Sequence, residues 1–320
     1  MISIVVIGRN EGARLQACLE SVRRALADVP HEVIYVDSHS QDDSLSVAKR
    51  LGARCFVPCA RETTAALGRD VGAREARGDM LLFLDGDMTL SDGFVQSALN
   101  EMRAGHYDGA SGVRHDIYVT NDRVTGENPN YFACTQKRIV PEFGGAILLS
   151  RAALEKAGGW AVNVEAGEEA ELHARLNRTG ARIVELPVPM ITHTDCVQGS
   201  RGVMGTVFSR RRLGHGQALR HAMETNSVRA YMAREKELFV PYALDWLCVV
   251  MLACALCAAA WPIAALWMCA AALIQLGQAL AFYHMGRIRA FVSAKLFFFA
   301  LPMGMACYKR RDTDYNEWTV

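Results

Sequence analysis

At 320 residues the chain has room for one large domain or two modest ones. A net charge of +1, spread over mixed charges, makes no global case for nucleic acid as a partner. The hydrophobic fraction of 51% is uneven, because the chain turns strongly apolar from about Pro241 onward. The N-terminus has no basic lead and only a short apolar run, so it reads as a strand rather than a signal peptide, and the first part of the chain is expected to stay in the cytoplasm. The ten cysteines show no zinc-finger spacing, half of them lie in the apolar tail, and they read as small hydrophobes.

Residues 2–7 form the first expected strand, followed by the loop 8–12 and by a helix with Leu15, Cys18, Leu19 and Val22 at helical spacing. A second strand over 32–36 ends at Asp37-Ser38-His39-Ser40. Asp42 or Asp43 can cap the next helix, and Gly52 is its expected stop. A third strand covers 53–57, a helix covers 63–76, and a fourth strand covers 80–84. That fourth strand, Met80-Leu-Leu-Phe-Leu, is apolar throughout, as a strand covered on both faces must be. Strand–helix alternation at this spacing predicts an α/β fold with a mostly parallel, Rossmann-like sheet.

Ligands of such sheets bind beyond the carboxyl ends of the strands. Three polar clusters fall there: Arg9-Asn10-Glu11, Asp37, and Asp85-Gly86-Asp87. Two carboxylates one residue apart repel each other unless a cation is shared, and hard ions such as Mg²⁺ or Mn²⁺ take carboxylate and phosphate oxygens. The plain alternative is an ordinary Asp-Gly turn. No Gly-x-Gly-x-x-Gly follows the first strand and no Walker lysine loop is present, so dinucleotide and P-loop readings lack their phosphate cradle.

Several strings together resemble the family 2 glycosyltransferases of the GT-A fold over about residues 1–200. They are Ser3-Ile-Val-Val-Ile-Gly-Arg-Asn-Glu11, Val36-Asp37-Ser-His-Ser-Gln-Asp42, Gly68-Arg69-Asp70-Val-Gly72 and Leu84-Asp-Gly-Asp87. Gly144-Gly145-Ala-Ile-Leu-Leu-Ser-Arg151, Gly158-Gly159-Trp160 and Gly167-Glu168-Glu169-Ala-Glu171-Leu172 continue the likeness. The resemblance implies that Asp37 holds the base or ribose of a nucleotide, with Arg9 and Glu11 flanking it. It implies that Arg69 approaches the nucleotide or its phosphates, and that Asp85 and Asp87 are the Asp-x-Asp element whose second member ligates Mn²⁺ or Mg²⁺. Glu168-Glu169 stands where the family has Glu-Asp, which makes Glu169 the expected catalytic base, with Glu in place of Asp. His193 matches a histidine near the diphosphate or metal, its alternative being a structural role. Gly145, Trp160 and Glu168 are expected around the sugar or acceptor, and core packing is the alternative for Trp160. For Glu168-Glu169 the alternative is a solvated helix start, supported by an i,i+4 pair of Glu171 with Arg175.

The expected activity is inverting transfer of a sugar from a nucleotide-diphosphate donor, UDP-linked in the first place, to a lipid-linked or saccharide acceptor in bacterial envelope or exopolysaccharide synthesis. Rivals are a polyprenyl-phosphate sugar synthase, a non-catalytic nucleotide-sugar-binding membrane protein, and a nucleotidyltransferase. A processive synthase is disfavoured, because its Gln-x-x-Arg-Trp element is missing.

After a transferase domain over 1–198, residues 199–240 gather Arg201, Arg210, Arg211, Arg212, His215, Arg220 and His221 among apolar positions. This reads as a basic amphipathic linker on the membrane lipids of the anionic cytoplasmic leaflet, or alternatively as a solvated helix face. The membrane region 241–320 is expected to hold two spans, about 242–260 and 263–283, with a turn near Trp261-Pro262. Residues 291–308 are expected to form an interfacial or third segment, broken by Pro302 and Gly304. The basic residues Arg287 and Arg289 place the adjoining loop on the cytoplasmic side, and hence the transferase domain on the cytoplasmic face of a bacterial inner membrane.

Overall fold

The computed structural model describes residues 1–60, 63–121, 123–196, 213–258, 261–284, 299–308 and 318–319. The N-terminal half alternates as expected: β1 (Ile2–Gly8), α1 (Gly12–Ala25), β2 (His31–Asp37), α2 (Ser44–Arg50), β3 (Arg54–Pro58), α3 (Ala65–Glu75) and β4 (Met80–Asp85). Thr64 caps α3, its hydroxyl accepting from the Leu67 amide. There follow β5 (Met88–Leu90), α4 (Phe94–Gly105), β6 (Gly109–Thr120), β7 (Arg123–Asn128), β8 (Arg138–Ile139) and β9 (Ile147–Ser150). Then come α5 (Arg151–Lys156), α6 (Glu168–Arg178) and the long β10 (Ile183–Cys196).

The sheet order is β3-β2-β1-β4-β9-β6-β10-β5, with the two-residue β11 (Trp318–Thr319) pairing beside β3. β1 to β4 are mutually parallel, whereas β9 runs antiparallel to both β4 and β6. Side chains alternate across the sheet, so β1 feeds two cores. Ile4 and Val6 pack with Leu15, Val22, Phe94 and Met102 on one face. Val5 and Ile7 pack with Leu67, Val71, Leu172 and Leu176 on the other. Gly72 explains why α3 tolerates a glycine: a Cβ there would fall on the Val5 side chain, so helix and strand meet at backbone distance.

Residues 213–234, expected as part of a surface linker, form α7 (Gly214–Glu224) and α8 (Val228–Arg234), which pack on α6 instead. Ala218, Leu219, Ala222 and Tyr231 join Ala170 and Ala174 of α6 in a third apolar cluster. His215 and His221 therefore face protein. The physical reason is the small-residue face of α6, which a reading of the linker alone does not see. Arg201, Arg210, Arg211 and Arg212 lie outside the described residues.

The apolar tail forms two helices, α9 (Lys236–Cys257) and α10 (Trp261–His284), each long and apolar enough to cross a membrane. α9 begins six residues before the expected start at 242, and Trp261-Pro262 opens α10 rather than making the turn. Proline is at home in a first turn, where its missing amide has no intrahelical partner to lose. The two helices touch through a Gln275 Nε2 bond to Asp245 Oδ1 of 2.8 Å and a Trp267 Nε1 bond to the Cys248 carbonyl of 3.0 Å. The outer face of α10 carries Leu266 and Leu273 at 72% and 69% exposure. Of the expected third segment, 291–298 lies outside the described residues. Residues 299–307 are helical, with Leu301 buried in the cluster formed by α6, α7 and α8 and with Phe299 and Met303 exposed.

Candidate active site

Sheet register brings the three polar clusters together. Gly8 pairs with Asp37 across β1–β2, and Ile7 pairs with Asp85 across β1–β4. The Gly86 amide donates to the Ile7 carbonyl at 2.8 Å, which pins the Asp85-Gly86-Asp87 turn to the end of β1. Asp37 is buried at that edge, accepting from the Tyr35 hydroxyl (2.9 Å) and from the Ser40 amide (2.7 Å). Asn10 Oδ1 accepts from the Gln41 amide at 2.7 Å and joins the loop after β1 to the loop after β2. Arg9 is exposed on that loop. Glu11 lies against Gly8 and Gly86 and pairs with Arg14 at 2.7 Å. Burial, then the nearby Asp87 carboxylate, pushes the Glu11 carboxyl up to about 7.

Behind this edge sits Arg69 of α3, 2% exposed. Its guanidinium donates to Asp85 Oδ1 and to Glu168 Oε1 at 2.8 Å each, and lies 3.4 Å from Glu169 Oε1. One buried cation thus gathers three carboxylates. Asp85 and Glu169 stay partly open, with side chains 30% and 23% exposed. Glu168 is buried, and burial, then the adjacent Glu169, pushes its carboxyl up to about 7 against the pull of Arg69. Trp160, expected as an acceptor wall, is 3% exposed and packs beneath Arg69, its ring 5.0 Å from the guanidinium and edge-on to Phe83. It is a support for the arginine and does not face the cleft. Gly145 lies directly over the pair: a Cβ there would fall on Asp85 Oδ2 and 2.7 Å from Arg69 Nη2.

Asp87 and His193 form the next layer. His193 Nε2 is 3.4 Å from Asp87 Oδ2, while its Nδ1 is 3.2 Å from Asp116 Oδ1. Burial works against the charged imidazole, but the bond to Asp87 and the charges of Asp87 and Asp116 together outweigh it and raise His193 above its ordinary value. Asp116 is itself buried and held by Arg114 through 2.6 and 3.1 Å bonds. Arg114 Nη2 also lies 3.0 Å from Nδ1, so Arg114 and Asp116 together fix the ring with its Nε2 edge toward Asp87. Asp87 Oδ1 is buried with no hydrogen-bond partner among the described residues. An orphaned carboxylate oxygen beside an imidazole nitrogen fits a divalent cation. Among the described residues no set of three or more His, Cys, Asp or Glu side chains is arranged to hold a metal ion, so a cation here would draw its other ligands from phosphate and water.

A cleft of about 1180 Å³ opens beside these groups. Asp85, Gly145, Glu169 and His193 line it, as do residues the sequence did not single out: Arg114, Tyr131, Phe132, Glu142 and Arg234. Its far wall is Glu235 to Leu238, the start of α9. Asp37, Arg9, Glu11 and Asp87 lie along the adjoining sheet edge, and Arg69, Glu168 and Trp160 beneath it. Arg114 stacks on Tyr131 at 4.6 Å from the ring centre. An Arg-x-Asp on alternate positions of a strand is the signal that would have marked Arg114 and Asp116, since both face one side.

A family model described as "Glycosyl transferase family 2" matches residues 3–158. The chain is 32% identical over 96 residues to the uncharacterized glycosyltransferase YfnE of Bacillus subtilis, covering 29% of this chain and 24% of that protein. It is 41% identical over 56 residues to an uncharacterized glycosyltransferase of Rickettsia felis, 18% of each chain. The chain thus spans about a quarter or less of the length of these curated relatives. Among solved structures, the mannosyltransferase PcManGT of Pyrobaculum calidifontis, in complex with GDP-Man and Mn²⁺, superposes with a TM-score of 0.60 at 18% identity. That match covers 96% of this chain and 87% of the other. S. aureus TarS in complex with UDP-GlcNAc gives 0.56 at 16% identity over 70% and 66%. At such identities the likeness is one of fold.

Proposed function

We propose, from the match of residues 3–158 to the family 2 glycosyl transferase model, an inverting, metal-assisted transferase working at a membrane surface. It moves a sugar from a nucleotide-diphosphate donor, UDP-linked in the first place, to a lipid-linked or saccharide acceptor, as one step in building a bacterial envelope or exported polysaccharide. The observation that carries this reading is the single cleft: Asp85 and His193 line one side, Glu169 another, and the first turn of the apolar hairpin a third. A donor lying along the carboxyl edge of the sheet and an acceptor arriving from the membrane would meet there. The structural neighbours' GDP-Man, UDP-GlcNAc and Mn²⁺ complexes are of the kind this edge would accommodate.

Each group has a role in the transfer. Asp37, fixed by Tyr35 and Ser40, accepts from the donor's base or ribose, and Glu11 and Arg9 flank it. Asp87 and His193 would hold Mn²⁺ or Mg²⁺, which supplies positive charge for the departing nucleoside diphosphate. Asp85, anchored by Arg69, contacts the donor. Glu169 takes the proton of the acceptor hydroxyl as that oxygen attacks the anomeric carbon. Proton removal of this kind contributes roughly 10²–10⁴-fold. A single displacement from the face opposite the leaving group inverts the anomeric centre. Glu169 reaches one methylene further than the Asp usual at this place, and it lies 3.4 Å from Arg69.

Two hydrophobic helices whose outer faces are left uncovered call for lipid. In this reading the acceptor enters at the membrane surface, which the start of the first of these helices at the cleft wall supports. The test is a nucleotide-sugar panel, including UDP-GlcNAc and GDP-mannose, scored by melting shift with Mn²⁺ and by release of nucleoside diphosphate. Glu169→Gln is expected to keep the melting shift while release falls roughly 10²–10⁴-fold. Undiminished release by that variant, or pyrophosphate as the product, would sink the proposal.

A further inference from the structure

Arg234 is the last residue of α8, immediately before the Glu235-Lys236 entrance to α9. An arginine at the mouth of a membrane hairpin is expected to reach for solvent or lipid phosphate. This one turns inward, its side chain 12% exposed. Nη1 donates to the Glu169 carbonyl at 3.3 Å and Nη2 to the Phe143 carbonyl at 3.2 Å. The guanidinium lies over the Phe143 ring at 5.9 Å, and Nε is 3.4 Å from Glu235 Oε1. The two carbonyls belong to different walls of the cleft. Glu169 is in the first turn of α6, and Phe143 directly precedes Gly144-Gly145, the loop that closes over Asp85 and Arg69. Burial also depresses the Arg234 guanidinium below its ordinary range, so the chain keeps a cation here at an energetic cost.

We propose that Arg234 is a positioning residue for the transfer: its one guanidinium ties the helix bearing Glu169 and the loop bearing Gly145 to the start of the apolar hairpin. Base, donor-side loop and membrane anchor then move as one body. The proposal rests on Glu169 being the base. The planar fork matters, because two donors held in fixed geometry can span two carbonyls, whereas a lysine ammonium is a compact point charge.

The experiment uses the full chain in detergent micelles as wild type, Arg234→Lys and Arg234→Met. Three quantities are measured: nucleoside diphosphate release from the sugar donor chosen by the melting screen, affinity for that nucleoside diphosphate with Mn²⁺, and amide hydrogen exchange. In R234M release should fall on the order of 100-fold, the usual cost of about 1 Å of misplacement. Nucleotide affinity should stay within about twofold, because transition-state placement is lost while ground-state donor binding is not. R234K should recover part of the rate. Exchange should quicken over 142–146 and 167–172 and stay as in wild type over α1 and β2. Unchanged release, a parallel loss of nucleotide affinity, or faster exchange throughout the domain would each overturn the assignment. A wild type that neither binds nucleotide nor releases it would defeat the transferase reading instead, and the exchange measurement would still decide whether the clamp exists.

Discussion

Buried beside Glu169, Glu168 is a carboxylate whose ionised form is costly in the fold. It is 5% exposed, and its carboxyl is pushed from an ordinary 4.5 up to about 7 by burial and by Glu169, despite its 2.8 Å bond from Arg69. At roughly 1.4 kcal/mol per pH unit, that displacement disfavours the ionised form by about 3 kcal/mol. An acid whose folded pKa is raised binds its proton more tightly folded than unfolded, so its contribution to stability falls as pH rises from 4.5 through about 7. Glu168→Gln keeps an oxygen for Arg69 Nη1 and does not titrate. The variant should match wild type near pH 4.5 and gain on it steadily, reaching about 3 kcal/mol above pH 7, or roughly 6 to 10 °C of melting temperature for a domain of this size. Thermal melts of both proteins at half-unit steps from pH 5 to 8.5 read the difference, which cancels titrations common to the two, such as those of Glu11. A variant no more stable than wild type at pH 8, or a difference flat across the range, would refute the reasoning. Turnover should fall as stability rises, since Glu168 and Asp85 together aim the guanidinium beside Glu169, and a site held ready for chemistry is commonly kept at the expense of stability.

Asp87→Asn should abolish the extra melting shift that Mn²⁺ adds to nucleoside diphosphate, a linkage worth about 2.7 kcal/mol at a hundredfold excess over Kd; an undiminished Mn²⁺ increment would place the cation elsewhere. Gly145→Ala drives a methyl into Asp85 Oδ2 and Arg69. It should cost about 1–3 kcal/mol in a denaturant melt and reduce turnover, and a variant with wild-type stability and rate would show that the loop yields freely.

How much of this was legible beforehand follows from what each signal depends on. The β1, β2 and β4 ends could be placed together because parallel pairing and strand length alone decide which residues share an edge, and Asp37, Gly8 and Asp85 do share it. Arg69 could be named, but its three-way bond to Asp85, Glu168 and Glu169 could not, because 99 residues separate Arg69 from Glu168 and only the tertiary fold closes that gap. Trp160 takes the core alternative for a related reason: two glycines before a tryptophan describe a turn, not which side of it the ring takes, and a ring able to support a buried guanidinium goes under it. Arg114 and Asp116 were passed over because alternating polar residues on a strand look like a solvent face unless the cleft is known to lie there.

The segment before the hairpin shows the limit of amphipathicity as an argument. A helix with a basic side and an apolar side satisfies a lipid surface and a protein groove equally well, and composition alone does not choose between them. The choice is made by the partner face. α6 presents Ala170 and Ala174, small enough for α7 and α8 to approach closely, and its buried Glu171 offers an acceptor that His221 Nδ1 meets at 2.7 Å. Leaving that carboxylate with Arg175 alone while His221 faced lipid would forfeit a charge-assisted bond in a buried setting, where such bonds are strongest. The helix bearing Glu169 is therefore bound on its outer side by the same segment that runs into the apolar hairpin. On the proposed reading, the apolar hairpin cannot shift without also shifting the helix that carries Glu169.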